Sequence, residues 1–298
     1  MQTAQSAREQ VSDIWNRMWL DRFMKIVAAI GTSGPALSVI NSEKYPNILS
    51  SFAYPKGLDN IDYIPEYLII DSGAFTAWNI GKQVEIEKYA EYVLHRKDKF
   101  PDLKAVNLDV IPGEVGRTST KKERAQGMKD SLKNADYLRG RGIEVMEVFH
   151  QDEPRVFLDT LCDRLPIGGI LCISPRNDVH QNEKIKWQNA VLRHLCERYG
   201  PTNLPRMHGL AVTAVNLMRT FPYYSVDSSS WMSPSMWGRF INEDGRFVRM
   251  ETAFPKNPRG KEAEKIMNLM TREGLRNWRH IGMSNQNLWF KRGVKWRD

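Results

Sequence analysis

The chain has 298 residues, of which 41% are hydrophobic and 26% charged, and a formal net charge of +8. That length buries a large core, as one α/β barrel or as two average domains, and the positive balance favours an anionic partner. No apolar run approaches the roughly eighteen residues of a membrane span, and three dispersed cysteines (Cys162, Cys172, Cys196) exclude a disulfide framework and a Cys-x-x-Cys zinc knuckle.

The N-terminal stretch MQTAQSAREQVSDIWNRMWLDRF has no cleavable apolar core. Val11, Ile14, Trp15, Met18 and Trp19 recur at helical spacing, which predicts an amphipathic helix over about residues 5–23 and a cytoplasmic protein. Seven short runs rich in β-branched residues follow as strands: KIVAAIG (25–31), EYLIID (66–71), KAVNLDV (104–110), IEVMEVFH (143–150), IGGILCIS (167–174), MHGLAVT (207–213) and YYSVD (223–227). Helical patterns fall between them at roughly 85–100, 119–139, 153–164, 182–199 and 214–220. Strands alternating with helices imply parallel pairing with right-handed crossovers. Seven or eight such units suit a (β/α)8 TIM barrel, with an open doubly wound sheet as the alternative. The chain therefore reads as a single barrel domain over 1–298 that ends in a basic, tryptophan-rich segment at about 261–298.

From Arg272 to Asp298, Arg272, Arg276, Arg279, Lys291, Arg292, Lys295 and Arg297 stand against Glu273 and Asp298, a net +5 and more than half of the chain's excess. Trp278, Trp289, Phe290 and Trp296 are interleaved with those charges, as on surfaces that combine phosphate contacts with base stacking. A C-terminal helix docked by its aromatics, with a solvated basic face, has the same pattern. Arg276, Arg279, Lys291, Arg292 and Lys295 are the candidate nucleic-acid contacts, joined by Arg176 of SPRND, for which a surface ion pair is the equal reading.

Polar residues gather where the strands end. EYLIID closes on Asp71 and Ser72, KAVNLDV carries Asp109, IEVMEVFH runs into His150 and Gln151, and IGGILCIS ends at Ser174. MHGLAVT holds His208 and Gly209, and YYSVDSSSW delivers Asp227 among serines. In a barrel these ends share one face, where barrel enzymes keep their chemistry. Taken singly, Ser72, Ser174 and Asp109 read equally as helix or loop caps, and His150 and His208 as packing histidines. Asp71 and Asp227 each end an apolar strand and precede small residues, leaving room for a ligand. Two such carboxylates suit displacement at an anomeric carbon, one as nucleophile and one as proton carrier. A metal-binding pair is the other option, but no Asp-x-Asp or Glu-x-x-His pattern supplies further ligands.

YLIIDSGAF resembles the DSGGF-type strand end of the tRNA-guanine transglycosylases, EVFHQDEP resembles their segment with a base-reading glutamine, and MHGLAV resembles their Gly-Leu-Ala/Ser-Val loop. YYSVDSSSW sits where that family carries its nucleophilic aspartate, so the resemblance spans about residues 25–240 in the same order. It implies a TIM barrel, Asp227 as nucleophile and Asp71 as general acid/base. It also implies a base-binding set of Ser72, Phe75, Asp109, Gln151, Gly209 and Leu210. No cysteine follows Cys196, whereas the tRNA enzymes have a Cys-x-Cys-x-x-Cys and histidine zinc site there, so the zinc subdomain and any metal or cofactor are expected to be missing. SVDSSSW in a compact chain looks more like the DNA-guanine transglycosylase branch (DpdA type), found in bacteria and phages. The partners this implies are DNA and a free 7-deazaguanine base, the latter a substrate. Base exchange in tRNA, hydrolytic removal of a base and a non-catalytic nucleic-acid-binding barrel remain the alternatives.

Overall fold

The computed structural model describes residues 24–297 except 33, 115, 116, 118, 213, 234–237 and 250–259, so the expected N-terminal helix lies outside the described residues. Eleven strands are present among the described residues: β1 (Lys25–Ile30), β2 (Asn47–Ser51), β3 (Tyr67–Asp71), β4 (Lys104–Val106), β5 (Val145–Met146), β6 (Val148–His150), β7 (Ile170–Ser174), β8 (Arg206–Gly209), β9 (Ser225–Ser228), β10 (Arg239–Ile241) and β11 (Phe247–Arg249). The helices are α1 (Pro35–Glu43), α2 (Ala74–Asn79), α3 (Ile86–Lys97), α4 (Lys121–Gly140), α5 (Arg155–Asp163), α6 (Gln181–Tyr199), α7 (Val215–Thr220) and α8 (Gly260–Lys291).

The first nine strands form one parallel sheet in the order β5-β4-β3-β2-β1-β9-β8-β7-β6. Its two outermost strands, β5 and β6, are consecutive in the chain with Glu147 alone between them. β5 bonds to β4, β6 bonds to β7, and the Cys172 N–H donates to the Glu147 carbonyl at 2.8 Å. The sheet is thereby rolled into a nearly closed barrel. β10 and β11 pair separately as an antiparallel hairpin.

Alternation along the strands sorts side chains between two cores. Val27, Leu49, Ile69, Val106, Met146, Val148, Ile170 and Cys172 fill the barrel interior. Their neighbours Ile26, Ala28, Ile48, Leu68, Ile70, Leu171 and Ile173 face outward onto the helices. At the N-terminal end the interior is plugged by Tyr67 and Tyr224, whose rings meet edge-on at 6.3 Å, and by Trp296 against Tyr224 at 5.2 Å. The helices begin where local chemistry directs. Thr120 caps α4 in a reciprocal capping box with Glu123 (3.2 and 2.7 Å). His180 Nδ1 accepts the Asn182 N–H at the start of α6 (3.2 Å). α8 runs against β1, and its Gly282 is needed there, because a Cβ would lie 2.6 Å from the Met24 carbonyl.

Several expected boundaries move. KAVNLDV is a strand only to Val106: beyond Asn107 the Leu108 carbonyl accepts from Asn134 Nδ2 (2.7 Å) and the Val110 N–H donates to Ser131 Oγ (2.9 Å), so side chains of α4 take these backbone groups and Asp109 lies on a loop. IGGILCIS starts at Ile170, because Gly168 adopts φ 72° in a turn and Ile167 is 95% exposed. MHGLAVT ends as a strand at Gly209, and YYSVD begins at Ser225. β2, α1, α2 and the β10–β11 hairpin were not anticipated, and the C-terminal segment is mostly one helix of 32 residues. No described helix is long and apolar enough to cross a membrane.

Glu147, 1% exposed at the seam, is gripped by Arg139 Nη2 and Arg164 Nε, each at 3.0 Å. Replacing Glu147 with Ala leaves two partly exposed guanidinium groups without their shared carboxylate. We expect a loss of about 3 kcal/mol, the low end of the range for breaking a buried pair. Urea unfolding monitored by circular dichroism measures it.

Candidate active site at the C-terminal mouth of the barrel

Parallel strands bring all their C-terminal ends to one face, and the last inward-facing position of each strand lines the mouth. Ser51 stands beside Asp71 across the β2–β3 ladder, His150 beside Ser174 across β6–β7, and Asp227 beside Val27 across β9–β1. Asp71, Asp109 and Asp227 are close enough that the charges of the other two act on Asp71. Each carboxylate is held differently.

Asp71 Oδ2 accepts hydrogen bonds from Ser51 Oγ (2.7 Å) and the Gly73 N–H (3.0 Å). Gly73 takes φ 74° to present that N–H, and a Cβ on it would lie 3.0 Å from the Ala53 nitrogen. Burial pushes the Asp71 carboxyl above its ordinary range. The two hydrogen bonds oppose that rise, and the charges of Asp227 and Asp109 add to it. A carboxyl raised in this way keeps its proton to higher pH than an ordinary aspartate does.

Asp227 is buried, and its Oδ1 accepts the Ala211 N–H at 2.7 Å. Ala211 has φ 52°, a left-handed conformation uncommon for a residue with a Cβ, which turns its N–H toward the carboxylate. Fully buried His208 approaches the same oxygen, with Nε2 at 3.4 Å. Gly209 is required beneath this loop, because a Cβ would fall 2.7 Å from Val212 Cγ2 and 2.8 Å from Tyr223 Cε1.

Asp109 Oδ2 meets His150 Nε2 at 2.8 Å, and the His150 N–H donates to Glu153 Oε2 at 2.7 Å. Burial alone would lower the His150 pKa, but the hydrogen bond and charge of Asp109 outweigh it and lift the imidazole to about 9. Burial pushes the Glu153 carboxyl up to about 7, against the attraction of His150. At neutral pH the mouth therefore holds one imidazolium among carboxyl groups.

The expected base-binding residues divide. Phe75 is 53% exposed on α2, which follows Asp71, and its ring is stacked on Trp78 at 6.1 Å. Asp109 keeps Oδ1 beyond its contact with His150. Gln151 reaches to the neighbouring loop after β7, its Oε1 accepting the Arg176 N–H at 3.1 Å. Ser72 is buried, and its hydroxyl turns to the Ala74 N–H (3.4 Å), so it serves the turn into α2 rather than the mouth. The Leu210 N–H is spent on the Ile173 carbonyl (3.0 Å), which leaves Ala211 as the donor of that loop that reaches the site. Ser51, Ala211 and Glu153 were not foreseen: Ser51 ends a strand that was not recognised, and Ala211 contributes only backbone. Glu153 lies within HQDEP, where its carboxylate three residues after a histidine was the available signal.

The expected nucleic-acid contacts divide: Arg176 follows β7 on the mouth side, and the tail cations lie elsewhere. Arg176 is paired with Asp152 (2.8 Å) and Asp178 (2.9 Å) on the surface. Lys295 bonds through its backbone to Pro201 and Leu204, and Trp296 Nε1 donates to the Pro222 carbonyl (3.0 Å). Those partners precede β8 and β9, so exposed Lys291, Arg292 and Lys295 sit at the N-terminal end of the barrel, opposite Asp71 and Asp227. Arg276 is held by Glu273 (2.7 Å) near Glu43 (3.9 Å), and Arg279 acts on Tyr45, both toward that same end. Trp278 and Trp289 are buried against the barrel. The aromatic residues of the tail thus mainly dock α8 and leave a basic face exposed. Among the described residues no three His, Cys, Asp or Glu side chains form a metal-binding group. No protein-family model matches the chain, and no curated protein matches it.

The His150–Asp109 contact has a titration signature. In the native protein the His150 ring should titrate near pH 9, held there by Asp109 against the effect of burial. Its contribution to stability is complete below the ordinary histidine pKa of about 6.5 and is lost as pH rises through 9. Asp109→Asn removes that charge and leaves burial, opposed by the charge of Glu153, so the His150 midpoint should fall. NMR of the ring Cε1–H across pH 5 to 10 reads this directly; an unmoved midpoint would contradict the assignment.

Proposed function

We propose that the chain is a (β/α)8 barrel of the guanine-transglycosylase type that exchanges guanine in DNA for a 7-deazaguanine base. Counting β5 and β6 as one strand interrupted at Glu147 gives eight parallel strands, the number this architecture needs, although a short 3-10 turn (Leu58–Asn60) joins β2 to β3. The observation that carries the reading is the unequal treatment of two mouth carboxylates. Asp71 is raised toward neutrality by burial and neighbouring charge, whereas Asp227 is fixed by a backbone N–H on one oxygen. One suits proton transfer and the other suits attack.

A deoxyguanosine must leave the duplex stack to reach such a site. Asp227 then attacks C1′ as the C1′–N9 bond breaks, forming a glycosyl ester, and Asp71 gives its proton to the departing guanine. In the second half the incoming 7-deazaguanine loses its N9 proton to Asp71, N9 bonds to C1′, and the ester carboxylate leaves. The proton carrier is restored, so no outside acid or base is consumed. Asp109 accepts from the amino and imino edge of either base, and Phe75 offers a stacking face. DNA is preferred over tRNA because no cysteine follows Cys196 to build the zinc site of the tRNA enzymes and because of the DSSSW sequence after the strand. In this reading the tail cations supply a long-range attractive field rather than contacts at the mouth.

Asp227→Ala should abolish both base exchange and any covalent protein–DNA adduct. Asp71→Asn should keep the fold and slow exchange on the order of 100-fold or more, as expected on losing a general acid/base. Incorporation of labelled guanine, together with denaturing gels of enzyme incubated with DNA, measures both. Full exchange by Asp227→Ala would end this account.

A further inference from the structure

Asp227 is buried, and its neighbours at the mouth include the carboxyl groups of Asp71 and Asp109. Besides the Ala211 N–H, the group that faces its Oδ1 is His208, 0% exposed on the inner face of β8. At 3.4 Å the His208 Nε2 lies beyond a well-formed hydrogen bond, and this buried nitrogen has no hydrogen-bond partner among the described residues. The other ring nitrogen is committed: Nδ1 lies 2.8 Å from Ser225 Oγ, which lies 3.3 Å from the Tyr67 hydroxyl. These contacts form a row from the aromatic plug of the barrel to the carboxylate at its mouth.

We propose that His208 is a positioning residue for Asp227, the last member of a buried chain Tyr67–Ser225–His208 in which each group donates to the next and the last donates to the Asp227 carboxylate. Tyr67 donates to Ser225 and Ser225 donates to His208 Nδ1, which fixes the neutral tautomer carrying its proton on Nε2. That proton and the Ala211 N–H share Oδ1, leaving Oδ2 as the attacking oxygen. Once Oδ2 is esterified, Oδ1 becomes the ester carbonyl oxygen, and the same two donors stabilise the carboxylate that must leave in the second half of the exchange. Contacts of this kind are commonly loose before substrate binds and tighten afterwards. The assignment of attacking and spectator oxygens rests on the proposed exchange reaction; the chain of donors does not.

The test uses Ser225→Ala, which removes tautomer control, and His208→Leu, which removes the donor, with His208→Gln as the conservative partner that keeps an N–H. Circular dichroism and thermal unfolding verify folding of each variant. The first readout is the titration of the Asp227 carboxyl by carbon NMR in protein labelled at aspartate, assigned by loss of the signal in Asp227→Asn. Other titrating groups facing this region are Asp71 and Tyr67 of β3, Asp109, and Cys172 of β7, and their signals are followed alongside. The midpoint of Asp227 should move to higher pH in His208→Leu and, less far, in Ser225→Ala, and return toward that of the unsubstituted protein in His208→Gln. The second readout is base exchange, where kcat should fall on the order of 100-fold in His208→Leu with KM little changed, as for loss of one donor to a developing charge. An Asp227 titration unmoved in folded His208→Leu would overturn the proposal. If the titration moves while the unsubstituted protein exchanges no base, the donor chain stands and the exchange reading fails.

Discussion

Alternation in a nearly closed parallel sheet is the constraint on which the rest of this structure depends. With side chains pointing in and out by turns, Tyr67, Ile69 and Asp71 must share the barrel interior, while Leu68 and Ile70 face the helices. A slip of one residue in β3 would exchange Asp71 for an isoleucine or serine at the mouth and drive the carboxylate into the outer core. The same holds for Asp227 in β9, held in register with Val27. Apolar packing below therefore fixes the charges above, and Glu147, with its two arginines, secures the seam where the two outermost strands adjoin in the chain.

Gathering carboxylates at one mouth has an electrostatic cost, and the three aspartates meet it by different means. Asp109 is paired with an imidazolium, Asp227 receives a backbone N–H in a left-handed turn, and Asp71 is driven toward its neutral form. Unequal environments let chemically identical side chains take different roles. The arrangement extends inward, since the charges of all three aspartates join burial in keeping the Cys172 thiol protonated. A structural, unreactive cysteine in the barrel interior follows from that surrounding.

Legibility in the sequence tracked how local each signal was. β1, β3 and β7 are apolar and β-branched over five or six residues and were readable as strands, and Asp71 and Asp227 stood out as charges ending apolar runs. β2 escaped because NILSS has only two apolar residues among five, and its polar last residue, Ser51, serves the mouth. Ser72 and Leu210 were placed in the site by motif position, yet a buried hydroxyl turned to its own loop and an N–H bonded to the next strand are matters of backbone geometry. The basic tail was misleading for a long-range reason. Trp278 and Trp289 are the docking face of α8, Trp296 packs on Tyr224 beyond it, and the exposed cations lie at the opposite end of the barrel from the carboxylates.

The central claim is that Asp227 bonds to a deoxyribose in order to replace one base with another. Mass spectrometry of nucleosides from DNA incubated with the protein and candidate 7-deazaguanines tests it most directly. The account predicts a deoxynucleoside carrying the deazaguanine, matched by an equal amount of free guanine. Released guanine with no inserted base, or unaltered DNA alongside modified tRNA, would contradict it.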